Sequence, residues 1–265
     1  MGDNTAMEDY IGYEADCPKR IFPLAEVPWD TEFPQVSIES DGEGTLSVRV
    51  ACTVSQDVAA TQLRAELVVE RVIREFAFRF ACSIGSPRQR GFSIPYLDSE
   101  GILRRSVSTS VVLRWGGSAD EKWAPGISSV VDTIAAARDL WNPQRSSDLE
   151  LYRSALMAND PVARFVLLYA VLQQIVGAGN QHDVDGWIRK HATTPAREVP
   201  TLRPSSKRTQ SISTETEFTS IRNSLGHVRS GQTSFAQSLD AANRLLSQLR
   251  VLTESAISLK YAASP

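Results

Sequence analysis

"DPVARFVLLYAVLQQIV", residues 160–176, decides the fold. Pro161 suits the first turn of a helix, where its missing N–H has no intrahelical partner to lose. From there Phe165, Leu168, Leu172 and Ile175 fall on one stripe, widened by Val176. The most apolar run, Phe165 to Leu172, is far too short to span a bilayer. The stretch therefore predicts a core helix that other helices must cover.

Those helices are found on both sides. Downstream, Phe235, Leu239, Ala242, Leu246, Leu249 and Leu252 recur every three or four residues, the clearest helical pattern in the chain. Thr214 to Leu225 predicts another helix, with Phe218, Ile221 and Leu225 on its buried face. Upstream, "ISSVVDTIAAARDLW" (127–141) is rich in helix formers and is stopped by Asn142-Pro143. Ser147 with Glu150 has the spacing of a capping box for the helix that follows. Residues 127–260 thus read as an all-α bundle of four or five helices, interrupted by a polar insertion at 177–214. Within that insertion only "VDGWIRKH" is expected to form a short helix.

The first half has a different grammar. Residues 1–35 carry four prolines and read as an irregular arm. "TLSVRVACTV" (45–54) alternates as a strand, and Asp57 stands as N-cap of a helix running to Phe80. Leu63, Leu67, Ile73, Phe76 and Phe80 can line its buried face. "CSIGSPRQRGF" (82–92) reads as a loop and "RRSVSTSVVLRW" (104–115) as a strand. Residues 36–120 are expected to be a small mixed domain. The fold class is α+β, a mixed amino-terminal domain followed by the helical bundle.

Composition narrows the function. With 265 residues, net charge -3 and pI near 5.7, the chain is not a general coat for duplex DNA. Cys17, Cys52 and Cys82 are odd in number and far apart, which excludes a disulfide scaffold and a CxxC zinc pair. Three histidines without HExxH, and the lack of GxGxxG or GxxxxGKS/T, predict neither metal nor cofactor. The acidic, polar "MGDNTAMEDY" is not a signal peptide, so a soluble cytoplasmic protein without a membrane segment is expected.

Chemistry concentrates in "IRNSLGHVRSG" (221–231), which sets Arg222, Asn223 and His227 in one short run. A histidine near pKa 6.5 can carry a proton either way at neutral pH. An arginine stays charged and offers two donors to phosphoryl oxygens. On an ideal helix positions 222 and 227 lie about 140° apart, whereas Asn223 and His227 share a face. A bend at Gly226, or a second subunit, would bring Arg222 and His227 to one pocket.

The order of these elements resembles a HEPN domain, of the branch seen in MauJ-like and ApeA-like proteins. Three pieces carry the likeness: the Asp-Pro helix at 160–176, "ETEFTSIRNSLGHVR" at 215–229, and the long last helix. The resemblance covers about residues 127–255. It implies a metal-independent endoribonuclease whose Arg-x(4–6)-His motif maps onto Arg222 and His227, with Asn223 in the polar position, and a homodimer in which two motifs meet. Related domains often carry Glu near Gln173; a neutral Gln there can hydrogen-bond but cannot serve as a carboxylate base. Arg229, Arg208, Lys207, Arg203, Arg189 and Lys190 are candidates to collect RNA backbone around the pocket.

Two functions therefore stand side by side. One is an endoribonuclease acting through the 2'-hydroxyl. The other is a non-catalytic dimerisation or binding module for RNA or protein, with an accessory role in amine metabolism as one setting. The intact Arg-Asn-x-x-x-His favours the first; low basicity and Gln173 favour the second.

Overall fold

The computed structural model describes residues 9–17, 22–40, 42, 44–109, 125–176, 180–203, 211–226 and 235–262. The chain divides into two compact units, Met1–Ser146 and Ser147–Pro265. An antiparallel sheet dominates the first and helices dominate the second, as the α+β reading expects.

The first unit contains β1 (Tyr10–Asp16), β2 (Ala25–Pro28), β3 (Gln35–Ser40), β4 (Thr45–Ala51), β5 (Arg88–Leu97) and β6 (Leu103–Thr109). They form one sheet in the order β2-β3-β4-β1-β5-β6. Alternation sends Ile11, Tyr13, Ala15, Val36, Ile38, Leu46, Val48 and Val50 into the core. Helices α1 (Val58–Arg79) and α2 (Ile127–Asp139) add Val69, Val72, Ile73, Phe76, Val130, Ile134 and Ala137 to the same core. Phe22 packs edge-on against Phe76 at 5.5 Å between ring centres. Asp57 caps α1 as expected, its Oδ1 accepting from the Ala60 N–H at 3.1 Å.

Several sequence expectations are corrected here. The stretch expected as an irregular arm supplies β1, which pairs with both β4 and β5, and β2. On α1, Leu63 and Leu67 are exposed at 62% and 54%; the buried positions are Thr61, Ala65, Val68, Val69, Val72, Ile73, Glu75, Phe76 and Ala77. Small residues let the helix approach the sheet, and the two leucines fall outside that face. The 82–92 loop is shorter than expected, because β5 begins at Arg88. Finally, α2 packs on α1 within the sheet unit and is not part of the later helical set.

A buried ion cluster fixes the end of the first unit. Arg145 donates through Nη1 to Glu75 Oε2 at 2.6 Å and through Nη2 to Oε1 at 3.0 Å. Arg79 Nε reaches the same carboxylate at 2.9 Å. Two guanidinium groups thus surround a carboxylate whose side chain is 1% exposed.

The helix α3 (Pro143–Met157) crosses the boundary between the units. The expected Ser147–Glu150 cap is replaced by Asn142, whose Oδ1 accepts from the N–H groups of Gln144 and Arg145, with Pro143 in the first turn. Beyond it come α4 (Pro161–Val176), α5 (Gln181–His191), β7 (Glu198–Arg203), β8 (Ser211–Thr216), α6 (Glu217–Gly226) and α7 (Phe235–Ala262). Asp160 caps α4, and Phe165, Leu168, Leu172 and Ile175 are buried as the periodicity predicts. They meet α7, where Ala242, Leu245, Leu249, Leu252, Ala256 and Ile257 are buried. Each large apolar side chain so buried stabilises by about 1.5–3 kcal/mol. Asp148 of α3 ties the far end together, accepting from Gln174 Nε2, Lys260 Nζ and Tyr261 OH.

The bundle is not all-α. β7 and β8 pair antiparallel from Glu198↔Thr216 to Arg203↔Ser211, mostly within the stretch expected as a polar insertion and two residues beyond it. The helix expected from Thr214 therefore starts at Glu217, because the preceding residues are paired in β8. Among the described residues, no single helix is long and apolar enough to cross a membrane.

Candidate functional site

The site is built where α5, β8 and α6 meet against α4. Helix α5 begins at Asn180, whose Oδ1 accepts from the His182 N–H at 2.9 Å. Its apolar residues Val184 and Ile188 are buried. Gln181 and Asp185, four residues apart and so on one face, reach across to β8 and α6. Helix α6 answers with its own i, i+4 pair, Thr219 and Asn223. Asp185 meets Thr219 and Gln181 meets Asn223, so the two helices run antiparallel along a polar seam.

Asp185 is buried, and one oxygen, Oδ1, gathers three donors. The Thr219 hydroxyl donates at 2.6 Å, the Thr216 hydroxyl at 2.6 Å and the Thr216 N–H at 3.1 Å. Thr219 spends its only hydroxyl proton on Asp185, so its oxygen accepts from Tyr169 OH at 2.7 Å. Burial pushes the Tyr169 phenol up to about 12; the Thr219 hydrogen bond pulls the other way, and the Asp185 charge adds to the rise.

Asn223 is likewise buried, and both ends of its amide are engaged. Its Oδ1 accepts from Gln181 Nε2 at 2.8 Å and from Arg222 Nη1 at 3.2 Å. Its Nδ2 donates to Glu215 Oε2 at 3.3 Å. Arg222 is half-buried, with its guanidinium carbon 6.0 Å from the centre of the Tyr169 ring, the outer limit of a cation–π contact. Among the described residues, no carboxylate forms a salt bridge with Arg222. A charged fork is thus held on one side by a neutral amide and an aromatic ring.

The structure brings Arg222 and Asn223 together. His227 follows Gly226, the last residue of α6, and lies outside the described residues, as do Lys207, Arg208 and Arg229. Arg203 belongs to β7. Arg189 is exposed and paired within its own unit: Nε and Nη2 donate to Glu198 at 2.8 and 2.9 Å, which holds the Glu198 carboxyl below its usual range. Lys190 is exposed in the last turn of α5. Trp187 stacks on His191, with ring centres 4.1 Å apart. Gln173 is half-buried on α4. Gln181, Asp185, Thr216, Thr219 and Tyr169 were not singled out by motif reading. The available signal was the recurrence of polar residues at i, i+4 beside the apolar stripes of two adjacent helices.

Among the described residues, no group of three or more His, Cys, Asp or Glu side chains could hold a metal ion. No curated protein and no solved structure matches the chain. Residues 149–259 match the family described as Methylamine utilization protein MauJ. The match lies wholly within the second unit and contains the entire seam. Over these residues the chain carries a MauJ-like domain.

Proposed function

We propose that the helical unit is a HEPN-type, metal-independent endoribonuclease, with Arg222 and His227 as its catalytic residues. The observation that carries this reading is the guanidinium of Arg222, positioned by Asn223 and Tyr169 without a carboxylate partner among the described residues. Such a fork suits the non-bridging oxygens of a phosphodiester, whose charge grows as the 2'-oxygen attacks phosphorus. His227 takes the 2'-hydroxyl proton, the bond to the 5'-oxygen breaks, and that oxygen takes up a proton as it leaves. The product ends are a 2',3'-cyclic phosphate and a 5'-hydroxyl. Asn223 acts as a positioning residue in this scheme, because its amide is buried and already engaged. Two copies pairing through the helical unit would let the Arg222 of one and the His227 of the other share a pocket.

A second reading has its own support. The full engagement of Asn223 and the pairing of Arg189 with Glu198 suit a non-catalytic binding module, for which the family description offers methylamine utilization as a setting. Analysis of product ends separates the two. Incubation of mixed RNAs with purified protein in excess EDTA is expected to yield 2',3'-cyclic phosphate ends, and His227→Ala is expected to abolish them. Absence of cleavage, or equal cleavage by both proteins, would replace the nuclease by the binding module.

A further inference from the structure

Arg222 is supported from two directions, and both supports begin on α5. Gln181 grips Asn223, which accepts from the Arg222 guanidinium. Asp185 grips Thr219, Thr219 accepts from the Tyr169 hydroxyl, and the Tyr169 ring lies beside the same guanidinium. Asp185 also holds the hydroxyl and the N–H of Thr216, the residue immediately before α6. The first turn of α6 is thereby fixed on α5, and Arg222 follows Thr219 by one turn.

We propose that Asp185, acting through Thr219 and Tyr169, is the positioning residue of the Arg222 site. The proposal rests on the ribonuclease reading for its effect on turnover, but not for its effect on Arg222 itself. A carboxylate is better suited to this place than a neutral amide. It accepts three hydrogens at one oxygen and donates none, so each donor at the β8–α6 junction has one defined direction. Asp185, Thr216, Thr219 and Tyr169 all lie outside the Arg-x(4–6)-His motif.

Thr219→Val removes the hydroxyl while keeping the shape of the side chain, and Thr219→Ser restores it. The first readout is the Arg222 Nε–Hε resonance of the full-length protein, assigned by its loss in Arg222→Lys. Thr219→Val is expected to shift and broaden this signal with far-UV circular dichroism unchanged, and Thr219→Ser to return it to the parent position. An Arg222 signal that is the same in parent and Thr219→Val would overturn the proposal. Should Thr219→Val fail to fold, Asp185→Asn is read in the same way. The second readout is single-turnover cleavage at saturating RNA. Thr219→Val is expected to slow it about tenfold while KM changes by less than about threefold, because a misplaced fork weakens the transition state more than the encounter. A folded Thr219→Val with the parent rate would also overturn the positioning role. If the parent itself cleaves no RNA, the ribonuclease reading fails, and the resonance alone decides the role of Asp185.

Discussion

Arg145 and Arg222 lie in different units and are used in opposite ways. Arg145 gives both terminal nitrogens to Glu75 and is 8% exposed, so its fork is closed by a carboxylate of matching shape. Arg222 gives one nitrogen to a neutral amide, rests near an aromatic ring and has no carboxylate salt bridge among the described residues. The buried Asp185 carboxylate of the seam is instead satisfied by two hydroxyls and one N–H. The Glu75 carboxylate of the sheet unit is thus met by two cations, whereas the Asp185 carboxylate of the helical unit is met by hydroxyls and an N–H, and Arg222 has no carboxylate salt bridge among the described residues. An arginine paired inside the fold contributes to stability; an arginine held but unpaired retains donors for a ligand.

The comparison predicts a separation of effects. Glu75→Ala leaves Arg145 buried without its counter-charge and should cost about 3–5 kcal/mol in urea unfolding. The double variant Glu75→Leu with Arg145→Met should recover much of that loss. A single variant as stable as the parent would break the contrast. Arg222→Ala should do the reverse, lowering cleavage about 100-fold while changing stability by less than about 1 kcal/mol. Arg222→Lys keeps the charge but loses the fork, and should fall between parent and Ala. Asn223→Ala removes the hydrogen bonds that Gln181 and Glu215 make to this amide and should destabilise the helical unit by about 1–2 kcal/mol, measured by urea unfolding.

The smallest effect expected is an alkaline one. In the folded protein Tyr169 holds its proton up to about 12, against 10 for an ordinary tyrosine. Its contribution to stability is therefore fully present below pH 10 and is lost as pH rises through about 12. Unfolding midpoints followed across that window should fall less steeply in Tyr169→Phe than in the parent. Equal slopes would remove Tyr169 from the account.

Much of this architecture was legible in the sequence where one apolar stripe decided it. Phe165, Leu168, Leu172 and Ile175 on α4, and Leu249 and Leu252 on α7, are buried where a period of three to four places them. The face of α1 was misread because large leucines weigh more in a pattern than Thr61 and Ala65, which allow the closer approach. β1 was missed because "YIGYEAD" mixes aromatic, glycine and acidic residues without clean alternation. Pro200 is tolerated in β7 because, among the described residues, this strand has a partner on only one side. The site was legible only as a motif. Asp185 lies 31 residues from Thr216 and 34 from Thr219, and Tyr169 lies 50 from Thr219, so only the fold brings them to Arg222. Local spacing cannot carry such separations.

The most direct test is single-turnover cleavage of end-labelled RNA in excess EDTA by the parent and by Arg222→Ala of unchanged fold and oligomeric state. Cleavage by the parent, reduced about 100-fold in the variant, is the result expected of an arginine held open for a phosphate. Equal rates in the two proteins, or no cleavage by either, would contradict it.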